Sequence, residues 1–298
     1  MQTSSDGQYP DPMVNIERIG NTRNQLGEGP LWDLTSKALY WVDSLAGIVY
    51  RRLGNEVRKW HCGDMVGSLA VVDDERLVVA TQTGLKFLNF KDGQLDPITD
   101  PETDNPDTRF NDGKTDHAGN FLAGTMGIRI RDRGLGSLYR LRPDLTLEVL
   151  LTDVVVSNGP CFSPDGRTFY FNDGRRRILA FDYDPNGPLA NQRTFFDGET
   201  HGTGSDGATV DTDGNIWAAL IGSGEIGCIT PDGRLVERIA MPVRLPSSVM
   251  FGGEYLDELF VTSISDSGNR TSDEPGAGGL YRVTGLGARG LPETRFAL

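Results

Sequence analysis

Cysteine and long apolar runs are both scarce in this chain of 298 residues. The three cysteines, Cys62, Cys161 and Cys228, are far apart and odd in number, which argues against a disulfide framework and a paired-cysteine metal site. No stretch approaches the roughly 18 apolar residues of a membrane span, and residues 1–12 lack the basic start and apolar segment of a secretory signal. We therefore expect a cytoplasmic protein without a membrane partner, in which residues 1–12 form a flexible leader.

Positively charged residues are also in deficit, since the chain has 29 Lys and Arg but 42 Asp and Glu, which gives a net charge of −13. A protein of this sign repels phosphate at long range, which argues against a nucleic-acid partner. Helix-forming stretches are missing too, because 38 glycines and 16 prolines place a turn signal about every 5 to 6 residues (298/54). The composition therefore predicts an all-β protein.

A repeat organises the chain. One strand-turn-strand pattern returns six times, starting at Leu39, Leu77, Asn120, Phe169, Ile216 and Leu259. From Tyr40 in the first copy to Phe260 in the last, five intervals span 220 residues, so the period is 44. Strand-rich units at this spacing are typical of a β-propeller, and six copies predict six blades. Residues 13–19 alternate like one more strand that completes the last blade, so we assign 13–298 to a single propeller domain.

A second short strand precedes each repeat, and its phase predicts which side chains reach the central axis. The innermost strand of each propeller blade lines that axis, so residues at one shared phase converge there. The phase selects Glu28, Ser68, Asn111, Asn158, Asp206 and Ser247. All six carry a side-chain oxygen, although Asp and Asn are depleted in strands. The alternative is that they are turn residues at strand starts, favoured by local hydrogen bonds.

Converging oxygens on the axis suggest a site for a hard cation. Glu28 and Asp206 supply two negative charges that would repel each other without a cation, and asparagine carbonyls add neutral oxygens. We expect Glu28, Asn158 and Asp206 as ligands, with Asn111 in or near the coordination sphere. This donor set suits one divalent cation, with Ca²⁺ as the first choice and Mg²⁺, Mn²⁺ or Zn²⁺ as alternatives.

Several segments around these residues match a known family. They are LGEGPLWD, YWVDSLAGIVYR, RFNDGKTDHAGNFLAGTM, SNGPCFSPDGRTFYFND and SDGATVDTDGNIWAAL. From about Leu26 to Val283 the chain resembles the SMP-30/gluconolactonase/regucalcin family. That resemblance implies a six-bladed propeller that hydrolyses sugar-acid lactones with one divalent ion on the axis. It also implies ion ligation by Glu28, Asn158 and Asp206, and Asp206 is in addition the candidate general base.

The resemblance further implies that Arg109 and Asn111 contact the substrate, a small sugar lactone. A lactone is an activated ester, and a divalent ion can polarise its carbonyl or activate the attacking water. Two alternatives remain open: hydrolysis of a phosphotriester or another ester at the same metal site, and a non-catalytic propeller in which calcium only ties the ring together. The oligomeric state is left open.

One loop departs from the sugar lactonases of this family, in which an acidic residue follows GTM by a few positions. Here the run is GTMGIRIRDRGLG, with Ile128 and Arg129 at the nearest positions, and the next blade has NDGRRR. The arginines concerned are Arg129, Arg131, Arg133, Arg175, Arg176 and Arg177. They form either a solvated, salt-bridged rim or a binding site for an anionic group on the substrate, with Arg129 as a candidate contact. His201, in HGTGSDG, either lines the same pocket or is a loop residue.

Overall fold

The computed structural model describes residues 13–298, whose strands form six four-stranded antiparallel sheets. The predicted leader, residues 1–12, lies outside the described residues. The innermost strands begin at residues 27, 66, 108, 158, 205 and 246. Five intervals over 219 residues (246 − 27) average about 44 residues each. The prediction of an all-β, six-bladed propeller is therefore confirmed.

The first strand of the chain, β1 (Asn15–Ile19), is the outermost strand of the last blade. Blades 1 to 3 follow in chain order, each beginning with its innermost strand. Blade 1 contains β2 (Gly27–Asp33), β3 (Ala38–Asp43), β4 (Ile48–Leu53) and β5 (Glu56–His61). Blade 2 contains β6 (Val66–Val71), β7 (Arg76–Thr81), β8 (Gly84–Asn89) and β9 (Leu95–Thr99). Blade 3 contains β10 (Thr108–Thr115), β11 (Phe121–Gly127), β12 (Gly136–Leu141) and β13 (Leu147–Val154).

Blades 4 to 6 repeat this order. Blade 4 contains β14 (Asn158–Phe162), β15 (Thr168–Asn172), β16 (Arg177–Asp182) and β17 (Ala190–Asp197), followed by a 3₁₀ helix (Glu199–His201). Blade 5 contains β18 (Ser205–Val210), β19 (Ile216–Leu220), β20 (Glu225–Ile229) and β21 (Leu235–Ala240). Blade 6 contains β22 (Pro246–Gly252), β23 (Glu258–Ser263) and β24 (Leu280–Thr284). Pairing of β1 with β24, from Asn15 opposite Thr284 to Ile19 opposite Leu280, closes the ring and confirms the prediction for residues 13–19.

The apolar core lies between neighbouring blades, and the two-residue periodicity of the strands explains why. In β3 all six residues are buried. Tyr40 and Val42 pack in one cluster with residues of blade 2, while Leu39 and Trp41 pack in another with Phe260 of blade 6. Successive side chains of a strand point to opposite faces of its sheet, so β3 is apolar throughout because both of its faces are covered.

The C-terminal segment, residues 285–298, runs along the ends of the innermost strands. The Arg295 guanidinium donates hydrogen bonds to the carboxylate of Asp33, at the end of β2. The Phe296 amide donates a 2.8 Å hydrogen bond to the carbonyl of Val71, at the end of β6, and the Phe296 ring is buried in the cluster between blades 2 and 3. The segment therefore ties several blades together at the end of the axis away from their strand starts.

The three cysteines are free and buried. Within residues 13–298, no helix has the length and apolar character that crossing a membrane requires.

Candidate active site

The starts of the innermost strands surround a cavity of about 240 Å³ on the propeller axis. Four of the six residues that the strand phase selects line this cavity: Glu28, Asn111, Asn158 and Asp206. They come from blades 1, 3, 4 and 5, so only the closed ring brings them together. All four are buried except Asn158, which is half-buried.

A β-bulge in each innermost strand sets these side chains in place. The pairing register shifts between Glu28 and Leu31 in β2 and between Asn158 and Cys161 in β14. The extra residue in a bulge bends the strand and redirects its side chains. Gly159 permits this geometry because its φ is +55°, and a Cβ there would lie 2.7 Å from the Asp206 carbonyl oxygen. A side chain at Gly207 would overlap Ser248, so adjacent innermost strands approach each other where only glycine fits.

Glu28 and Asp206 are the buried carboxyl groups in the lining of the main cavity. Burial raises the pKa of Glu28 well above its usual value, and the nearby charges of Asp206 and Asp112 raise it further. Burial also raises the pKa of Asp206 to about 7, with a contribution from Asp112 that Arg270 partly opposes. Within residues 13–298, neither carboxylate takes part in a salt bridge. Burying these two acidic groups close together therefore lowers the free energy of unfolding, and a cation bound between them would offset this loss.

A hydrogen-bonded relay fixes the neighbouring polar side chains. Arg109 Nη1 donates to the Phe110 carbonyl at 2.8 Å and to Asn111 Oδ1 at 2.7 Å. Asn111 Nδ2 in turn donates to Asn158 Oδ1 at 2.7 Å and to the Ser157 carbonyl at 2.8 Å. Burial, together with repulsion from Arg131, lowers the pKa of Arg109 to about 10. The relay orients both amides, and the buried Arg109 Nε has no hydrogen-bond partner among residues 13–298.

The residues at the cavity floor have the donor chemistry of a hard-cation site. Glu28, Asn158 and Asp206 offer two carboxylates and one amide oxygen, which suit Ca²⁺, Mg²⁺ or Mn²⁺. Among residues 13–298, no three or more His, Cys, Asp or Glu side chains are grouped so that they could hold a metal. The carboxylates of Glu28 and Asp206 nevertheless fit a divalent cation, because they repel each other and neither forms a salt bridge with any residue of 13–298.

Asp112 is a buried carboxyl group near the site that the sequence analysis missed. Its Oδ2 accepts a 2.8 Å hydrogen bond from the Gly159 amide and its Oδ1 accepts one from the Gly113 amide. Burial raises the pKa of Asp112 to about 6. Strand alternation assigns Asn111 and Asp112 to opposite faces, and only the bulge in β10, between Phe110 and Gly113, places both near the axis. No sequence signal marks that bulge.

Two of the six phase-selected residues do not line the main cavity. Ser68 lines a smaller cavity of about 30 Å³ further along the axis, together with Asp112. Ser247 is fully buried, and its hydroxyl donates to the Gly27 carbonyl. The prediction that residues of this phase reach the axis therefore holds for Ser68, which faces the smaller axial cavity, and is wrong for Ser247, because the bulge falls at a different position relative to each serine.

The rim of the cavity is basic. Arg131, Arg176 and Arg270 line it, whereas Arg129 is exposed and is not among the lining residues. His201 is also exposed and outside the lining, with its ring stacked on Phe196 at 4.9 Å between centroids. The structure therefore does not bring Arg129 or His201 to the cavity.

Comparison with known proteins assigns the chain to a family. A model of the SMP-30/Gluconolactonase/LRE-like region matches residues 26–265. The chain belongs to this family. The resemblance drawn from the sequence motifs is confirmed, since the matched region contains Glu28, Arg109, Asn158 and Asp206.

Relatives of this SMP-30/Gluconolactonase/LRE-like chain cover nearly its whole length. A regucalcin from Gallus gallus is 35% identical, over 95% of this chain and 99% of the relative. An L-arabinolactonase from Azospirillum brasilense is 36% identical, over 96% of this chain and 97% of the relative. Among solved structures, a luciferin-regenerating enzyme superposes with a TM-score of 0.89 at 30% identity, covering 96% of this chain and all of the other. A calcium-binding protein named regucalcin, from Agrobacterium tumefaciens, superposes with a TM-score of 0.86 at 28% identity, covering 93% of this chain and 95% of the other.

Proposed function

We propose that this protein is a lactonase, a carboxylic ester hydrolase that opens a sugar-acid lactone to the free hydroxy acid with one divalent cation bound. The substrate is a small molecule of the aldonolactone type. We also propose a cytoplasmic location, in keeping with the three free, buried cysteines.

One observation carries the proposal. Two buried, mutually repelling carboxylates, Glu28 and Asp206, converge with Asn158 at the floor of the axial cavity of a propeller whose family includes lactonases. Buried charges of one sign without a partner are expensive for folding, so their presence at one point indicates a role in binding or catalysis.

The cavity residues divide the reaction between them. When bound by Glu28, Asn158 and Asp206, the cation supplies Lewis-acid stabilisation to the oxygen that gains charge. Asp206 takes a proton from the water whose oxygen bonds to the lactone carbonyl carbon. As the bond between that carbon and the ring oxygen breaks, Asp206 returns the proton to the ring oxygen, which leaves a hydroxyl and a carboxylic acid.

Arg109 and Asn111 hold the substrate rather than move its protons. The relay from Arg109 through Asn111 to Asn158 fixes the direction of both amide groups before a ligand arrives. The unpartnered Arg109 Nε is a donor for a substrate oxygen. Groups held in place in advance lower the entropy cost of aligning the lactone with the attacking water.

The experiment that tests the proposal is a pH-indicator assay over γ- and δ-aldonolactones with metal-stripped protein and added Ca²⁺, Mg²⁺, Mn²⁺ or Zn²⁺. We expect turnover that depends on the cation and that Glu28→Gln abolishes. The matched control is Glu56→Gln, an exposed residue of the outer strand β5, which should leave turnover unchanged. Absence of hydrolysis with every lactone and every metal would contradict the proposal.

A second candidate is a calcium-binding propeller without catalysis, which the similarity to the calcium-binding regucalcin of Agrobacterium tumefaciens favours. In that case Ca²⁺ would raise the melting temperature and no lactone would be hydrolysed. Hydrolysis of a phosphotriester or of a simple ester, but not of a lactone, in the same assay would instead indicate that the protein is an esterase of a different substrate class that uses the same metal site.

A further inference from the structure

The lining of the axial cavity is positively charged, although the chain as a whole carries −13. Four arginines and two carboxylates line the cavity, which leaves a formal charge of +2 (4 − 2). The arginines are Arg109, Arg131, Arg176 and Arg270. A divalent cation bound between Glu28 and Asp206 would bring the total to +4. The charge of the cavity lining is opposite in sign to the net charge of the protein, so it requires an explanation specific to the cavity.

Within the part of the chain that the structure describes, three of these four arginines form no salt bridge with a carboxylate, namely Arg109, Arg131 and Arg270. Arg176 lies 3.8 Å from Glu199, and Arg109 is held by Asn111 and the Phe110 carbonyl. Within residues 13–298, the side chains of Arg131 and Arg270 form neither a salt bridge nor a hydrogen bond to another side chain. In contrast, the nearby Arg175, outside the lining, pairs with Asp173 at 2.5 Å and with Asp153 at 3.0 Å. Arg129 and Arg133 also form no salt bridge within the described residues, but they do not line the cavity, so at its mouth the cations without a carboxylate partner there are Arg131 and Arg270.

The loops that carry Arg131 and Arg270 approach each other across the mouth. Arg131 lies between β11 and β12 of blade 3, and Arg270 lies between β23 and β24 of blade 6, which is opposite blade 3 in a ring of six. Burial lowers the pKa of Arg131, and repulsion from Arg270 lowers it further. Arg109, deeper in the cavity, is in turn repelled by Arg131. Arg131 is therefore close enough to Arg270 at the mouth and to Arg109 deeper in the cavity for their charges to repel one another.

We infer that the substrate lactone carries an anionic group, a carboxylate or a phosphate, which Arg131 and Arg270 bind together at the mouth while the lactone ring lies over Glu28 and Asp206. This inference rests on the proposed lactonase function and specifies its substrate class. An anion between the two guanidinium groups relieves their repulsion and offers the planar oxygen pairs that arginine binds in bidentate fashion. A neutral polyhydroxy lactone would leave both cations uncompensated.

The test compares three lactones that share one ring and differ only at the terminal carbon: a neutral hydroxymethyl, a carboxylate and a phosphate. Their kcat/KM values are measured with the metal-loaded protein. We expect at least one anionic lactone to exceed the neutral one by about 10- to 100-fold or more, because a hydrogen bond to a charged group contributes about 1.5–3 kcal/mol and 1.4 kcal/mol is tenfold. The carboxylate and phosphate arms identify which anion the site takes.

Variants assign the preference to particular residues. Arg131→Gln and Arg270→Gln should each reduce the ratio of anionic to neutral kcat/KM by about 10-fold or more. Arg131→Glu should bring the ratio below one. The matched control is Arg234→Gln, which removes the same charge from an exposed turn and should leave the ratio unchanged. Melting temperatures of all variants check that they remain folded.

The outcomes separate this inference from the proposed function. Hydrolysis of the neutral lactone at a rate equal to or above that of both anionic ones overturns the inference and leaves the lactonase proposal standing. A preference that Arg129→Gln removes and Arg131→Gln does not overturns the assignment to Arg131. If none of the three lactones is hydrolysed, the proposed function fails and the inference fails with it.

Discussion

Glu28 in the first blade and Asp206 in the fifth lie close enough that the charge on Asp206 adds to the effect of burial in raising the pKa of Glu28. Neither residue could reach the other in an open stack of blades. Closure of the ring by β1 and β24 is therefore a condition for the site as well as for the fold. Repulsion between these two carboxylates at the cavity floor destabilises the fold. A cation bound between them would offset that repulsion.

Replacing Asp206 with asparagine should separate these two roles. The variant keeps the shape of the side chain but removes its charge, so the repulsion with Glu28 and Asp112 disappears. We expect lactone turnover to fall by about 10²- to 10⁴-fold, the usual contribution of a general base. The metal-free variant should melt at the same temperature as the unchanged protein or higher. Asp182→Asn, at an exposed position in β16, is the control, and retained turnover in Asp206→Asn would refute its role as the base.

Arg109 should not tolerate lysine. Its Nη1 donates hydrogen bonds to Asn111 Oδ1 and to the Phe110 carbonyl, and its Nε remains free to donate to the substrate. The single ammonium group of a lysine cannot make both of these hydrogen bonds in the same geometry and also place a donor where Nε lies. We expect kcat/KM to fall by about 10- to 100-fold in Arg109→Lys, corresponding to the loss of one hydrogen bond with a charged group. The same change at the exposed Arg167 should have no effect. Equal activity of the two variants would show that the relay is not needed.

The C-terminal segment should make stability sensitive to acid through Asp33 and Arg295. Burial raises the pKa of Asp33, but hydrogen bonds from Arg295 and Ser36 outweigh it and hold the pKa below its usual value. A lowered folded-state pKa gives stability that is present above the unfolded-state value of about 3.9 and is lost as the pH falls through the folded value. Arg295→Gln should therefore cost about 1.5–3 kcal/mol of unfolding free energy at pH 7, measured by urea titration, and progressively less below about pH 4.

Arg193→Gln is the control for this experiment, because the pair of Arg193 with Asp182 is about half exposed and should contribute less than about 1 kcal/mol. A loss in Arg295→Gln that stays constant down to acid pH would contradict the assignment to Asp33.

Phe296 should anchor the same segment by packing. Its ring is 1% exposed and lies in the cluster between blades 2 and 3, although it is only two residues from the last position of the chain. Phe296→Ala should cost about 3–5 kcal/mol, the range for removing a buried phenylalanine. Leu298→Ala, at a side chain that is 51% exposed, should change stability by less than about 0.5 kcal/mol. Similar melting temperatures for the two variants would mean that packing of Phe296 does not help the C-terminal segment to hold the blades together.

The sequence predicts the blade number and the residues of the cavity floor for a physical reason. Every blade must present one apolar face to each neighbour, so its strands recur at a near-constant spacing that can be counted. The innermost strands all start at the same end of the axis, so Glu28, Asn158 and Asp206 could be aligned by phase alone.

The parts that could not be predicted depend on single-residue shifts and on loops. One extra residue in an innermost strand changes which side chain faces the axis, and the strand phase therefore selects Ser247, which does not line either axial cavity, and passes over Asp112, which lines the smaller one. Arg270 reaches the mouth from a loop whose path no periodicity describes. The role of Phe296 depends on a docking contact between residues far apart in the chain.

The most direct test of the proposed function is one measurement of aldonolactone hydrolysis by EDTA-treated protein before and after Ca²⁺ is restored. We expect no turnover without the cation, recovery when the cation is added, and no recovery in Glu28→Gln. Turnover that persists at full rate in EDTA, or that returns equally in Glu28→Gln, would contradict the assignment of the axial carboxylates to a catalytic cation.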